Sequence, residues 1–285
     1  VAAEKRLHTA QPSLSRQMRD LEAELGCVLL VRGAKGVRLT AAGRVFLDHA
    51  RVVVLQVEAA IEATRRAGAP AKASFVLGFL TGYEFDWLAA VMRIMHDELP
   101  RIEVVVHSLS SPDLADGLRR GKIDLAFLRH ETNAPGIVFT RLIDEPIIVL
   151  MPADHRLTAS DAITPADIAH EQLVGVSQDK SPALRAVIDA YAARIGIDLT
   201  PHHAVDNLSM AMSLVASTGG IALMPVYALN LLPHSVVSRP LGGVSPTIGL
   251  SLGYNEANTS PLLKTLVGKI GDLKRPIWIS ARHER

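Results

Sequence analysis

The apolar residues Leu14, Met18, Leu21 and Leu25 recur at intervals of four, three and four, which sets them on one helical face between Pro12-Ser13 and the stop signal Gly26. Pro12 fits only the first turn of that helix, and residues 1–7 read as the end of another, so the chain opens helix, turn, helix. The opposite face carries Gln11, Ser15, Arg16 and Arg19. Residues 27–32 are apolar and β-prone, Gly33-Ala34-Lys35-Gly36 is a turn, and Val37-Arg38-Leu39 returns as a hairpin. Arg32, Lys35 and Arg38 lie on or beside its tip. Thr40 caps a helix over 40–67 that contains no proline and is about 42 Å long at 1.5 Å per residue. Its Phe46, Ala50, Val53, Val57, Ile61 and Thr64 recur in steps of four and three, closer to a coiled-coil seam than to a globular helix face.

Gly68-Ala69-Pro70-Ala71-Lys72 is a linker, and beyond it the pattern alternates. Apolar strand-length runs at 75–79, 102–107 and 123–128 enclose helices at 87–96, closed by Leu99-Pro100, and 112–120, an order that predicts parallel strands with right-handed crossovers. After the breaker Glu145-Pro146 comes a strand at 147–151. A second set follows, with strands at 173–176, 203–205 and 221–224 and helices at 182–195 and 208–217. A strand at 247–254 and a helix at 261–273 close the chain. The expectation is an α/β body of two lobes, about 73–144 with 241–285 and about 145–240, separated by a cleft and joined near Glu145-Pro146 and Pro240.

Composition narrows the function classes. The 285 residues are 48% hydrophobic and 21% charged, enough for packed domains, and no apolar run approaches a membrane span. The opening residues lack the apolar region of a signal peptide, so the expected location is the cytoplasm. The net charge of +1 hides an asymmetry: residues 1–72 hold 12 Lys/Arg against 7 Asp/Glu, and the remainder 18 against 22. A basic head on an acidic body confines any polyanion contact to the head. The lone Cys27 forms no internal disulfide and is expected as a buried packing residue. His170-Glu171 lacks the second histidine of a zinc-protease helix, His202-His203 read as surface histidines with no ligand partners, and no nucleophile-elbow or phosphate-loop pattern occurs. Catalysis, a metal and a cofactor are therefore not expected.

A helix whose outer face is short, polar and basic suits the major groove, where Ser15 and Gln11 reach base edges or phosphates and Arg16 grips guanine or phosphate. The same spacing fits an ordinary surface helix; the basic hairpin directly after it favours DNA. The run from Ala2-Ala3-Glu4-Lys5-Arg6-Leu7 through Gln11-Pro12-Ser13-Leu14-Ser15-Arg16-Gln17 to Glu24-Leu25-Gly26, continued by Leu39-Thr40-Ala41-Ala42-Gly43, resembles the winged helix-turn-helix and linker-helix start of LysR-type transcriptional regulators. Gly121-Lys122-Ile123-Asp124-Leu125-Ala126-Phe127 and Ala216-Ser217-Thr218-Gly219-Gly220-Ile221-Ala222-Leu223-Met224-Pro225 resemble pieces of that family's effector domain. The family has a helix ahead of the point where this chain starts, so the head is expected to continue upstream of Val1.

The resemblance implies a winged helix-turn-helix over 1–39, a dimerisation linker helix over 40–67, a hinge over 68–72, and a periplasmic-binding-protein-like effector domain over 73–285. It implies DNA contact by Gln11, Pro12, Ser13, Ser15, Arg16 and Arg19 on the recognition helix and by Arg32, Lys35 and Arg38 on the wing. The partners it implies are promoter DNA, further copies of the chain as a dimer or tetramer, RNA polymerase, and a small organic acid as effector, with no membrane. That acid is expected between the lobes at helix N-termini, where free N–H groups favour anions. The positions are Leu80, Thr81, Gly82 and Tyr83, then Ser110 and Ser111, then Ser181 and Leu184, then Asp206 and Asn207. Each of these ends is also a plain helix cap. The family often has serine where Gly82 stands, so the hydroxyl at Thr81 falls one position early. Tyr83, Phe85 and Trp87 suit an aromatic or unsaturated acid. Two other classes compete: a two-lobed solute-binding protein without a regulatory role, which would carry a secretion signal and start near residue 73, and a cleft enzyme, which needs a paired acid and base.

Overall fold

The computed structural model describes residues 11–33, 36–68, 74–98, 100, 102–132 and 134–273. The helix end expected over 1–7, the turn residues Ala34 and Lys35, and most of the hinge lie outside them. The chain divides into two compact units, 1–57 and 58–285.

In the first unit, α1 (Gln11–Leu25) ends at Gly26, whose φ of 67° is the left-handed turn that glycine tolerates. The Glu22 carboxylate accepts from the N–H groups of Leu29 (2.7 Å) and Leu30 (3.0 Å), tying α1 to the hairpin. β1 (Leu30–Gly33) and β2 (Gly36–Leu39) pair antiparallel, Leu30 opposite Leu39. Thr40 Oγ1 donates to the Val28 carbonyl (2.8 Å) and accepts from Gly43 N–H (2.9 Å), capping α2 (Ala41–Gly68) as its sequence predicts. Gly43 is required here, because a Cβ would collide with the Leu29 carbonyl. Cys27 is exposed, not buried: the strand begins three residues later, and Leu29 is the side chain that turns inward.

In the second unit, β3 (Ser74–Leu80), β4 (Glu103–Leu109) and β5 (Leu125–Leu128) are parallel in the order β4-β3-β5. Between them run α3 (Glu84–Glu98) and α4 (Ser111–Arg119). β11 (Thr247–Asn255) adds antiparallel to β5 and pairs with β6 (Ile137–Pro152). β6 corrects the sequence reading: it is one 16-residue strand, and Glu145-Pro146 lies inside it. Pro146 is tolerated because it stands where β6 leaves β11 for β9 (Ala222–Pro225) and β10 (Val236–Pro240), so its missing N–H interrupts no ladder. One strand thus passes through both lobes. β7 (Val174–Val176) and β8 (His203–Val205) pair in parallel, flanked by α6 (Pro182–Ile195) and α7 (Leu208–Thr218), after the short α5 (Pro165–Ile168). α8 (Pro261–Gly271) packs against α3. A core of Phe79, Trp87, Phe127, Val149, Met151, Leu223 and their neighbours runs through both lobes.

Candidate functional site

In the head, Leu14, Met18 and Leu21 are half-buried, while Arg16 and Arg19 are exposed. Arg16 lies 3.9 Å from Asp20, a loose surface pair that leaves the guanidinium available. Arg19 donates to the Ser15 carbonyl, and Ser15 is half-buried. Gln11, Pro12 and Ser13 form the first turn of α1, but their side chains and that of Arg32 lie outside the described set, as does Lys35. Arg38 is exposed on β2, and Arg44, which the sequence reading missed, lines a groove beside it. Along α2 the seam residues Val53, Val57 and Ile61 are exposed, at 62%, 54% and 46%, and Phe46 and Ala50 are half-buried.

The cleft forms at the carboxyl ends of the parallel strands, the usual place for a ligand in such sheets. Thr81 follows β3: its N–H donates to the Leu109 carbonyl, and its hydroxyl meets Ser108 Oγ at 3.0 Å. Ser110 caps α4, accepting from Asp113 N–H. Ser177 follows β7 and donates to Val205 at the end of β8, which brings the loop carrying Ser181 beside Asp206 and Asn207. Asn207 caps α7. Ser181 precedes α6 without a side-chain cap. Lys180 reaches across to Asp113 at 3.4 Å, so the two lobes meet at the cleft mouth. That mouth is an open space of about 680 Å³ lined by Pro112, Ala115, Arg119, Glu131, Gln178 and Asp179 among others. Burial pushes the Glu131 carboxyl up, and its Oε1 has no hydrogen-bond partner among the described residues.

Four of the residues read as facing the cleft are buried in the interior instead. Ser111 is buried, and its hydroxyl oxygen accepts from Arg129 N–H at 2.9 Å, because the helix starts on Ser110 and turns Ser111 inward. Leu184 packs into the second lobe beside Leu173, Val174 and Leu199. Tyr83 and Trp87 are core residues while Phe85 is 64% exposed, since alternate positions of a helix do not share a face. Tyr83 stacks on Tyr227 of the second lobe with centroids 4.2 Å apart. Leu80 and Thr81 are half-buried and Gly82 is buried.

Where β6 crosses between the lobes lies a constellation that the sequence did not disclose. Arg129 donates to Glu145 at 2.6 Å with both side chains buried, and also to the Gly249 carbonyl. Glu145 accepts a second bond from Tyr227 N–H at 3.0 Å. The guanidinium lies 5.1 Å from the Tyr83 ring centre and 5.4 Å from that of Tyr227. Burial pushes the Glu145 carboxyl up to about 8 against the pull of the Tyr227 N–H, and lowers Arg129 to about 10. Burial likewise raises the Tyr227 hydroxyl to about 12. Asn230 Nδ2 donates to Asp86 at 2.6 Å, a further link between the lobes.

The LysR substrate binding domain model matches residues 68–273, and that of the bacterial regulatory helix-turn-helix protein, lysR family, matches residues 1–44. The chain belongs to the LysR family. It is a ligand-responsive DNA-binding transcriptional regulator of that family, with a helix-turn-helix head and a two-lobed effector body. The Hca operon transcriptional activator HcaR of Escherichia coli (strain K12) is 33% identical, over 93% of this chain and 89% of that protein. The HTH-type transcriptional regulator CatR of Pseudomonas putida is 30% identical, over 90% and 88%. Among solved structures, CbnR, a LysR family transcriptional regulator, superposes with a TM-score of 0.60 at 24% identity, over 94% of this chain and 93% of that one. Full-length BenM gives 0.60 at 24%, over 94% and 89%. Both superpositions run over nearly the whole of this chain, so the likeness of fold extends across its two parts. Among the described residues no helix is long and apolar enough to cross a membrane.

Proposed function

We propose that this LysR-family regulator senses a small organic acid, of aromatic or unsaturated type, in the cleft between its lobes. The observation that carries the reading is the convergence of the ends of β3, β4, β7 and β8 on one cleft, with Thr81 and Ser110 on one wall and Ser181 and Asn207 on the other. Hydroxyl, amide and helix-start N–H groups from both walls suit a carboxylate, and a ligand bound to both walls favours one separation of the lobes. The BenM effector binding domain has been solved with its effector benzoate, at 20% identity and a TM-score of 0.59, which supports that ligand class by likeness of fold.

On the same reading, α1 enters the major groove with Arg16 and Ser15 toward base edges, and the Arg38 wing lies on the backbone. The exposed seam of α2 pairs with a second copy, and two dimers form a tetramer on promoter DNA in the cytoplasm. The domain limits follow the sequence expectation: head over 1–39, linker helix over 40–67, hinge over 68–72, effector domain over 73–285.

The test is calorimetry of the full chain against benzoate and a panel of aromatic and unsaturated acids. One of them should bind, and Thr81→Val or Ser181→Ala should weaken it by about 1–1.5 kcal/mol, the worth of an ordinary hydrogen bond. An acid that binds both variants as tightly as the parent would place the effector elsewhere.

A further inference from the structure

Arg38 on β2 and Arg44, one turn into α2, lie six residues apart in sequence but line one open groove of about 580 Å³, with Val31, Gly33 and Leu39 as its floor and walls. Both arginines are exposed, and among the described residues neither forms an ion pair. The hairpin and the helix that carry them are fixed to each other. Thr40 bonds the Val28 carbonyl and the Gly43 N–H, and Gly43 presses on the Leu29 backbone. Arg44 also donates to the Leu39 carbonyl at 3.4 Å, which steadies its stem over the groove. The scaffold therefore holds two guanidiniums on one groove, and among the described residues no carboxylate pairs with either of them. Such a groove is too open to hold a small anion dry. A polyanion with repeating charge satisfies it, because each arginine can fork onto a phosphate oxygen while the duplex supplies the remaining contact area.

We infer that Arg38 and Arg44 form a clamp for the phosphodiester backbone of duplex DNA, so that the first turn of α2 is itself part of the DNA interface. The inference rests on the DNA-binding reading and adds a residue and an element to it. Arg16 is placed to read bases; the clamp is indifferent to sequence and contributes charge alone. It also gives the linker helix its own contact with the backbone, beyond its role as the seam between copies.

The experiment follows the binding of two unrelated 30-base-pair duplexes to the full chain by fluorescence anisotropy, between about 50 and 200 mM salt. Each phosphate contact contributes about 0.9 to the slope of log affinity against log salt. Arg44→Gln should lower the slope by about that amount for both duplexes. Its affinity should accordingly fall by roughly three- to fourfold less than the parent's across the fourfold salt range. Arg44→Lys should restore the slope, because a point charge still displaces a counterion, and Arg38→Gln with Arg44→Gln should lower it by about twice as much. A parent that binds both duplexes while Arg44→Gln keeps the full slope overturns the clamp and leaves the DNA reading standing. So does an Arg44→Gln variant that melts early with its slope intact, which would make Arg44 a strut for Leu39. A parent that binds neither duplex overturns the DNA reading and the clamp with it.

Discussion

At the crossover end of the cleft the charges are buried and each is held by several partners; at the mouth they are exposed or half-buried and more loosely held. Arg129 and Glu145 lie in a buried site closed by Tyr83 and Tyr227, with bonds to Gly249, Ser111 and the Tyr227 backbone. Lys180 and Asp113 meet at 3.4 Å with 37% and 52% of their side chains exposed, and Glu131 has an oxygen with no partner among the described residues. Low dielectric makes the first arrangement costly to disturb, and screening makes the second cheap. The contrast suits a body whose lobes change angle. The pivot has one well-defined geometry, and the rim forms and breaks with little penalty, so modest ligand binding can bias it.

The most damaging single change at the pivot is Glu145→Ala. It strands the Arg129 guanidinium, and removing one partner of a buried pair costs about 3–5 kcal/mol. Urea unfolding of the effector body should show that loss; a cost below about 1 kcal/mol would mean that water reaches the pair and the two ends of the cleft are alike.

Gly82→Ala tests the same end through its backbone. Gly82 has a φ of 103°, and a Cβ there would stand 2.8 Å from the Tyr227 ring. Strain and collision together should cost about 1–3 kcal/mol in a thermal melt. In a Tyr227→Leu background the cost should fall to the backbone share alone; an undiminished cost would show that the ring does not press on this turn.

What the sequence disclosed and what it hid follow the same contrast. The starts of α4, α6 and α8 are legible because Pro112, Pro182 and Pro261 mark first turns, and the parallel strands because their apolar runs alternate with amphipathic helices. The helix starts proposed as the rim of the site were legible for that reason. The pivot was not. Arg129 and Glu145 are 16 residues apart and look like surface charges, and the tyrosines that close over them are 144 positions apart. The first half of β6 was hidden because Arg141, Asp144 and Pro146 break its apolar pattern, whereas in the fold they fall at a sheet edge and a sheet-to-sheet crossing. One residue of register decided Ser110 against Ser111, beyond what cap preference resolves.

Lys180→Ala at the mouth should cost between zero and about 1 kcal/mol, and less as salt rises. A loss comparable to that of Glu145→Ala would show the mouth to be as closed and dry as the pivot.

The smallest effect expected is at Glu131, and its sign is diagnostic. Burial raises the Glu131 carboxyl above its ordinary value of 4.5. A group whose pKa is higher folded than unfolded favours the fold most where it is protonated in both states. That contribution is complete below the unfolded value and is lost as pH rises through the folded one. Charging Glu131 therefore weakens the body as the solution moves toward neutrality, and Glu131→Gln, which stays neutral, escapes that loss. Melting temperatures of parent and variant should differ least at about pH 4 and diverge in favour of the variant as pH rises, the gap levelling off above the folded pKa. Because the side chain is only part-buried, solvent discounts the size of the gap but not its direction. Parallel curves across the whole range would mean that Glu131 finds water or a cation in solution, and that the mouth does not desolvate even the groups that line it.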